Sequence, residues 1–458
     1  MHKNWQSPKL FTALVFVAIV IISFLFSQII TGSSVSFAIA ILLGIVIVVI
    51  TLIKTDIALV ILIFSMLLSP ELSVGGVPGR DIVLRIDDIL IGLIILTWLA
   101  KMAYKKGLSF FLKTPLNKAI GLYFLICIIS TLRGAYLGYV LPVKGLFYVL
   151  RYGEYFLLFI LVVNHVQSKK QVKYFLTFLF ITCTIVSLYG ILQIPSGKRV
   201  SAPFEGRVGE PNTMGGYLLI ILFIAIGILL QNVPKRLKLT LLGLSVLIFI
   251  PFLFTLSRSS YVAFVFSLLA LIVLSKKKVE LVAVTTIIFL IVLVLNPQAV
   301  FLRVKYTFEG PRSNTARYGG SHFDPSAAAR ITSWKDSIKA WTERPILGRG
   351  VSGFAFIDGQ YIRTLPELGI LGFLALLWLL WTILKHSYKI YREMDDELYK
   401  GLALGYIAGF IGLMAHALTS NTFIIIRIME PFWFLTGMVI VLPILKKEEP
   451  VSDFLESK

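Results

Sequence analysis

Apolar runs of roughly 15–22 residues follow one another along this chain, and each is long enough to cross a ~30 Å hydrocarbon core as a helix. Few features constrain a fold so strongly, because lipid leaves backbone polar groups no partners outside the protein. The composition agrees: of 458 residues, 57% are hydrophobic and 15% charged, where a soluble protein carries about 25% charged. Hydropathy and helix breakers predict an all-α, polytopic transmembrane bundle of about 12–14 spans. These lie near 10–31, 34–53, 56–69, 87–103, 119–132, 147–165, 173–193, 214–230, 239–256, 259–275, 279–296, 365–385, 400–419 and 430–446. The 56–69 run is short, and 147–165 begins among Lys144, Arg151 and Glu154, so either is open to a tilted or re-entrant reading. The first run is too long, and too soon followed by another, for a cleaved signal peptide. No internal repeat is visible.

Basic clusters alternate between the loops. Lys3/Lys9, Lys54, Lys101 to Lys118, Lys169/Lys170/Lys173, Lys235/Arg236/Lys238, Lys276/Lys277/Lys278, Lys385/Lys389/Arg392/Lys400 and Lys446/Lys447 share one side. The positive-inside rule makes that side the cytoplasm, and an even number of spans puts both termini there. The expected organisation is 1–296 for spans one to about eleven, 297–364 for a large extracytoplasmic loop with an amphipathic helix, 365–446 for the last spans, and 447–458 for a cytoplasmic tail. The net charge of +20 does not point to nucleic acid, since no basic helix with interleaved aromatics accompanies it. Cys127 and Cys183 both lie in apolar runs, which excludes a disulfide framework or a thiolate metal site.

On this topology 22 of the 27 Lys are cytoplasmic, whereas 15 of the 17 Arg lie outside or at the outer membrane margin. Positive-inside pressure does not tell the two cations apart, so something outside favours guanidinium, the group suited to planar, bidentate capture of phosphate. Either these arginines pair with acids and lipid phosphates, or they gather around a large polyanion such as a lipid-linked pyrophosphate. The long loop holds Arg303, Arg312, Arg317, Arg330, Arg344, Arg349 and Arg363 against Glu309, Asp324, Asp336, Glu343 and Asp358, a surplus of positive charge.

Individual segments keep two readings each. "FTLSRSSYVAF" puts Arg258 at membrane depth between two spans, where an unpaired charge is costly. Ser257, Ser259 and Ser260 would cap the new helix and orient the guanidinium, in a structural clamp or an anion site. "RVSAPFEGRVGEPNTMGGYL" is a polar connector, or a helix N-terminus that attracts anions beside Arg199 and Arg207. "DPSAAARITSWKDSIKAW" has an N-cap Asp and a Pro at the first helical position, with Ile331, Trp334, Ile338 and Trp341 on one face of an interfacial helix. In "RPILGRGVSGFAFIDGQYIRTLPELGILGFL", Gly348, Gly350 and Gly353 permit close backbone approach, as at a sugar or phosphate. Gly350, Tyr361 and Asn212 are assigned to the sugar. Asp358 and Glu367 are general bases if within reach of a sugar hydroxyl, and otherwise counter-ions for Arg363 and its neighbours.

No P-loop, nucleophile elbow or zinc-protease helix occurs. Asp87 and Asp88 are adjacent, so on a helix they cannot point the same way, and no metal site is expected. The histidines, His2, His165, His322, His386 and His416, are scattered, and only His322 clearly falls in an external loop.

"SRSS", "RVGEPN", "LRIDDILIGLIILTWL", "R..SW..S...W...PILGRGVSGF" and "DGQYIRTLPELGILG" together resemble the O-antigen ligase and polymerase superfamily, over roughly Arg85 to Leu380. The resemblance implies a glycosyltransferase of the GT-C class, taking a glycan from undecaprenyl pyrophosphate at the external face of the bacterial cytoplasmic (inner) membrane, without metal, nucleotide sugar or other cofactor. Arg207, Arg258 and Arg330 match the family's diphosphate contacts, with Arg199 beside them. The ligases resemble "HN.YL..L.ELG", whereas this chain has Asp358 and Gly359 at the His and Asn places. That favours a polymerase, which joins the chain to the terminal sugar of a second lipid-linked repeat. It also replaces a base of pKa ~6.5 by one near ~4, which needs desolvation to gain strength. Arg258, Asp358 and, less directly, Glu367 are then the catalytic residues. Expected partners are the undecaprenyl-pyrophosphate-linked oligosaccharide and the bilayer, with a chain-length regulator protein as a further candidate. A ligase, and a transporter or flippase of lipid-linked sugars, are the alternatives.

Overall fold

The computed structural model describes residues 49, 54–77, 80–104, 112–205, 209–278, 281, 316–318, 321–323, 325–355 and 357–447. The predicted spans 10–31, 34–53 and 279–296 fall almost wholly outside these residues, as do most of the 297–324 loop, Arg207 and Asp324.

Every other predicted span is a helix. In chain order these are α1 (Thr55–Leu68), α2 (Ile86–Tyr104), α3 (Asn117–Tyr136), α4 (Pro142–His165), α5 (Lys169–Gln193), α6 (Pro211–Leu229), α7 (Lys235–Phe254) and α8 (Arg258–Leu274). The extramembrane helix α9 (Pro325–Glu343) follows, then α10 (Gln360–Glu393), α11 (Glu397–His416) and α12 (Ile426–Lys447). Eight described helices are long and apolar enough to cross a membrane. This is a multi-pass helical membrane protein. The span with Arg151 and Glu154 is a full helix that starts at Pro142, since proline lacks only an N–H that the first turn leaves unpaired anyway.

The bundle is all-α, as expected, and local strand pairing is confined to its connections. Two short antiparallel hairpins occur, β1 (Glu71–Val77) with β2 (Arg80–Arg85), and β3 (Ala316–Tyr318) with β4 (Ser321–Phe323). Both lie in polar connections, where ladder pairing satisfies backbone groups that no helix claims.

Burial sorts the bundle into inner and outer helices. The apolar windows of α6 and α12 are 83% and 89% buried, whereas that of α7 is 22% buried and turns Leu239, Leu242 and Val246 outward. At the centre α6 and α11 meet backbone to backbone. A Cβ on Gly405 would overlap the Phe223 carbonyl oxygen, and one on Gly227 would overlap Gly405 itself. Small residues allow this approach, which replaces the hydrophobic drive that lipid cannot supply between helices.

α10 is broken at Gly369 (φ 66°, ψ −167°), three residues after Pro366. The loop before it fills the break. Arg349 N donates to Pro366 O at 2.9 Å, Gly350 N to Glu367 O at 2.7 Å, and Ile370 N to Pro345 O at 2.8 Å. α3 holds the same loop from its other side: Arg133 Nη1 donates to Gly348 O at 3.1 Å, and Val351 N to Thr131 Oγ1 at 3.1 Å. The carbonyls a kink exposes at membrane depth are thus paired within the protein, as lipid requires.

Candidate functional site

The starts of α6, α8, α10 and α12 and the ends of α7 and α11 share one end of the bundle, and polar residues collect there. α7 stops at Phe254, Leu256 takes a left-handed conformation (φ 48°), and Ser257 caps α8 by accepting from Ser260 N at 3.2 Å. Arg258, half-buried, is the first residue of α8. Arg199 covers the exposed end of α7, donating from Nε to Thr255 O at 3.0 Å and from Nη2 to Leu256 O at 3.2 Å. A guanidinium at a helix C-terminus also complements the dipole.

A directed hydrogen-bond chain crosses behind Arg258. Ser257 Oγ donates to Asn212 Oδ1 at 2.7 Å, and Ser260 Oγ donates to Ser257 Oγ at 2.8 Å. With its proton committed to Ser257, Ser260 accepts from His416 Nε2 at 3.4 Å. His416 Nδ1 is then left to accept from Thr422 Oγ1 at 2.8 Å, so the partners fix the Nε2–H tautomer. In parallel, Thr419 Oγ1 donates to Ser259 Oγ at 2.8 Å. The serines therefore tie three helices together beside Arg258, as the clamp reading of "SRSS" expects.

The same loop, 417–421, holds the segment carrying Asp358. Gln360 N donates to Ala417 O at 2.9 Å and to Ser420 O at 3.1 Å, and Asn421 Nδ2 donates to Ile357 O at 2.7 Å. Asp358 faces α9. Arg330 Nε and Nη2 both donate to Asp358 Oδ2 at 3.2 Å, and Trp334 Nε1 donates to the Asp358 carbonyl at 2.9 Å. The expected diphosphate ligand and the expected base are therefore each other's partners. Asp358 is 39% exposed. Close by, the buried Gln360 Oε1 and Asn421 Oδ1 accept no hydrogen bond among the described residues.

Other sequence-derived candidates serve the scaffold. Glu367 Oε1 accepts from Arg363 Nε at 2.9 Å and from Ser352 N at 3.0 Å, in a buried pair beside the α10 break. The close approach that Gly350 (φ 96°) permits is to Thr131 and Val140, at 3.0 and 2.8 Å from an added Cβ, where a sugar or phosphate was expected. Tyr361 directs its hydroxyl to Met414 O at 3.0 Å. Asn212 is held by Ser257. Arg207 lies outside the described residues.

The sequence reading passed over His416, Gln360 and Asn421. His416 closes an apolar run and is followed by "ALTSNT", a polar cluster between two spans that was the available signal. A further carboxylate, Glu205, sits beside Arg427 in the connection before α6. Burial pushes it up to about 7, against the opposing donation from Glu210 N and the charge of Arg427.

Next to the polar end lies a small apolar hollow between α3, α4, α10 and α12, lined by Tyr123, Tyr152, Phe156, Phe423, Phe432 and Trp433. Phe423 follows Thr422, the partner of His416, and its ring packs 6.5 Å from that of Tyr361.

The fold is that of a membrane-embedded helical bundle. A family model described as O-Antigen ligase matches residues 243–377, from the middle of α7 through α8 and α9 into α10. Over that stretch the chain is similar to the O-antigen ligase and polymerase superfamily. A search of curated proteins returns no match.

Proposed function

We propose that the protein transfers a glycan from an undecaprenyl-pyrophosphate carrier to a sugar hydroxyl of a second lipid-linked repeat unit, at the external end of the bundle. The observation supporting this reading is that one loop, 417–421, holds both Ser259, the neighbour of Arg258, and the segment with Asp358, which pairs with Arg330, and that an aromatic hollow adjoins the loop. The isoprenoid chain would lie in the apolar hollow and the diphosphate at the guanidinium groups.

On this reading the Arg330–Asp358 pair is the resting state of the site. A diphosphate competes for Arg330, since phosphate offers the same bidentate geometry with more charge. Asp358 is then released toward the acceptor. The acceptor oxygen forms a bond to the anomeric carbon, the bond from that carbon to the phosphate oxygen breaks, and the hydroxyl proton passes to Asp358. Arg258 and Arg330 offset the charge gathering on the leaving diphosphate, stabilisation that grows toward the transition state. Gln360 Oε1 and Asn421 Oδ1 supply acceptors for other hydroxyls of the same sugar. The amphipathic α9, with Ile338 45% exposed, would cover the site from the headgroup layer.

Purified Arg258→Ala and Asp358→Asn proteins assayed on lipid-linked repeats test the roles: both should stop chain lengthening, and unchanged lengthening in both sinks the assignment. The family description favours one second reading, a ligase that delivers finished polymer to another acceptor. Cells lacking the gene separate them on a glycan gel. Loss of a polymerase leaves single repeats, and loss of a ligase leaves unattached polymer. A strain with neither product would point to a flippase.

A further inference from the structure

A second charged cluster lies away from the site, where α2, α4 and α12 meet. Asp87 and Asp88 stand in the first turn of α2, Arg151 and Glu154 on α4, and Glu430 near the start of α12. Asp87 and Glu430 are fully buried. Asp88 is claimed by Arg151, whose Nη2 donates to Asp88 Oδ2 at 3.0 Å, while Arg151 Nη1 lies 2.7 Å from Glu154 Oε2. Arg85 Nη2 sits 3.0 Å from Asp87 Oδ2 and donates to Met66 O at 2.6 Å. Arg427, the nearby guanidinium on α12, is turned to the carbonyls of Leu67, Ser69 and Phe204 and lies beside Glu205.

The charges within the cluster do not balance. Four carboxyl groups, Asp87, Asp88, Glu154 and Glu430, meet two guanidinium groups, Arg85 and Arg151, so with all four ionised two negative charges would be left uncompensated inside the protein. A second observation locates the deficit. Among the described residues, no N–H or hydroxyl donates to either oxygen of Glu430, and Asp87 has only its ion pair with Arg85. Glu430 comes from a different helix, is wholly shielded from solvent, and is directed at the α2 carboxylates. One oxygen from each of Asp87, Asp88 and Glu430 lies within 4.8 Å of the other two. Ligand oxygens around one ion at about 2.3–2.6 Å are separated by no more than about twice that distance.

We propose that Asp87, Asp88 and Glu430 bind a divalent cation, Ca²⁺ or Mg²⁺, that fastens the start of α2 to α12. An all-oxygen, carboxylate donor set selects such hard ions over zinc or copper. Its double charge cancels the deficit. Adjacency on a helix had argued against Asp87 and Asp88 sharing a ligand; a carboxylate from another helix supplies the convergence. The ion braces the bundle and takes no part in glycan transfer.

The test uses full-length protein in detergent, stripped with EDTA and returned to Ca²⁺, Mg²⁺ or Mn²⁺. Elemental analysis should find one ion per chain, and the melting temperature should rise by several degrees with the cation. Glu430→Gln and Asp87→Asn should lose both effects, while Asp56→Asn, a carboxylate elsewhere, should keep them. Should the neutral variants fail to fold, Glu430→Asp keeps the charge with a shorter arm, and it should bind at least tenfold more weakly. Wild-type protein that retains no ion and melts identically in EDTA overturns the proposal. So does cation binding that is unchanged in Glu430→Gln or Glu430→Asp. Buried protons would then be what neutralises the cluster.

Discussion

Arg330 and Asp358 form an ion pair with side chains 23% and 39% exposed, whereas Arg363 and Glu367, a few residues further along the same segment, are 6% and 4% exposed. The chemistry of the two pairs is the same and their surroundings differ. The outer pair joins a surface helix to a loop, and water can replace either partner at little cost. The inner pair sits against the break in α10 with Ser352 N as a further donor. Removing one of its members strands a charge where nothing solvates it. An exposed pair is therefore free to trade its partner for a substrate, and a buried one is not. Under the proposed function, that contrast would put the chemistry at Asp358 and the bracing at Glu367.

The largest effect that would break this contrast is on the inner pair. Glu367→Ala should destabilise the protein by about 3–5 kcal/mol, read as loss of folded yield and of melting temperature in detergent. A near-neutral result would mean that Glu367 is available for transfer. Asp358→Asn should change stability by no more than about 1 kcal/mol while lowering turnover by roughly 10²-fold or more; equal losses in both measures would reverse the roles. His416→Ala cuts the chain that runs from Thr422 to Asn212. It should cost about 1–3 kcal/mol for the polar groups left unpaired, with turnover falling further than in Ser245→Ala, a distant buried hydroxyl on α7.

The smallest effect concerns Glu205, a carboxyl raised by burial, with Arg427 only partly opposing it. A group raised to about 7 in the fold from about 4.3 unfolded stabilises fully below the lower value. That contribution fades as pH rises through 7. Glu205→Gln should flatten the pH dependence of melting between pH 4.5 and 8, and raise stability above pH 7 by roughly 1 kcal/mol. A profile as steep as wild type would assign the slope to another group.

Much of the bundle was legible because lipid leaves so few options. Run length, breakers and the side taken by Lys set the spans, and the "SRSS" junction announced itself as charge among apolar residues. The "PILGRG" segment was legible as close-packed but not as to its neighbour. Glycine signals that something approaches, and only the fold shows that it is α3 and the broken α10. Arg199 was read by its charge, while its partners are carbonyls that any sequence possesses. His416 and Glu430 were hidden for another reason. Each is a single polar residue at the edge of an apolar run, and its meaning lies in contacts with residues tens to hundreds of positions away.

The glycine seam between α6 and α11 has a mechanical consequence. Two backbones in direct contact have no side chains between them to repack, so the pair has no second arrangement to adopt and acts as a fixed axle. Were a long lipid the substrate, as proposed, it would have to enter from the periphery, with loosely held outer helices or the surface helix swinging aside like a door on that axle.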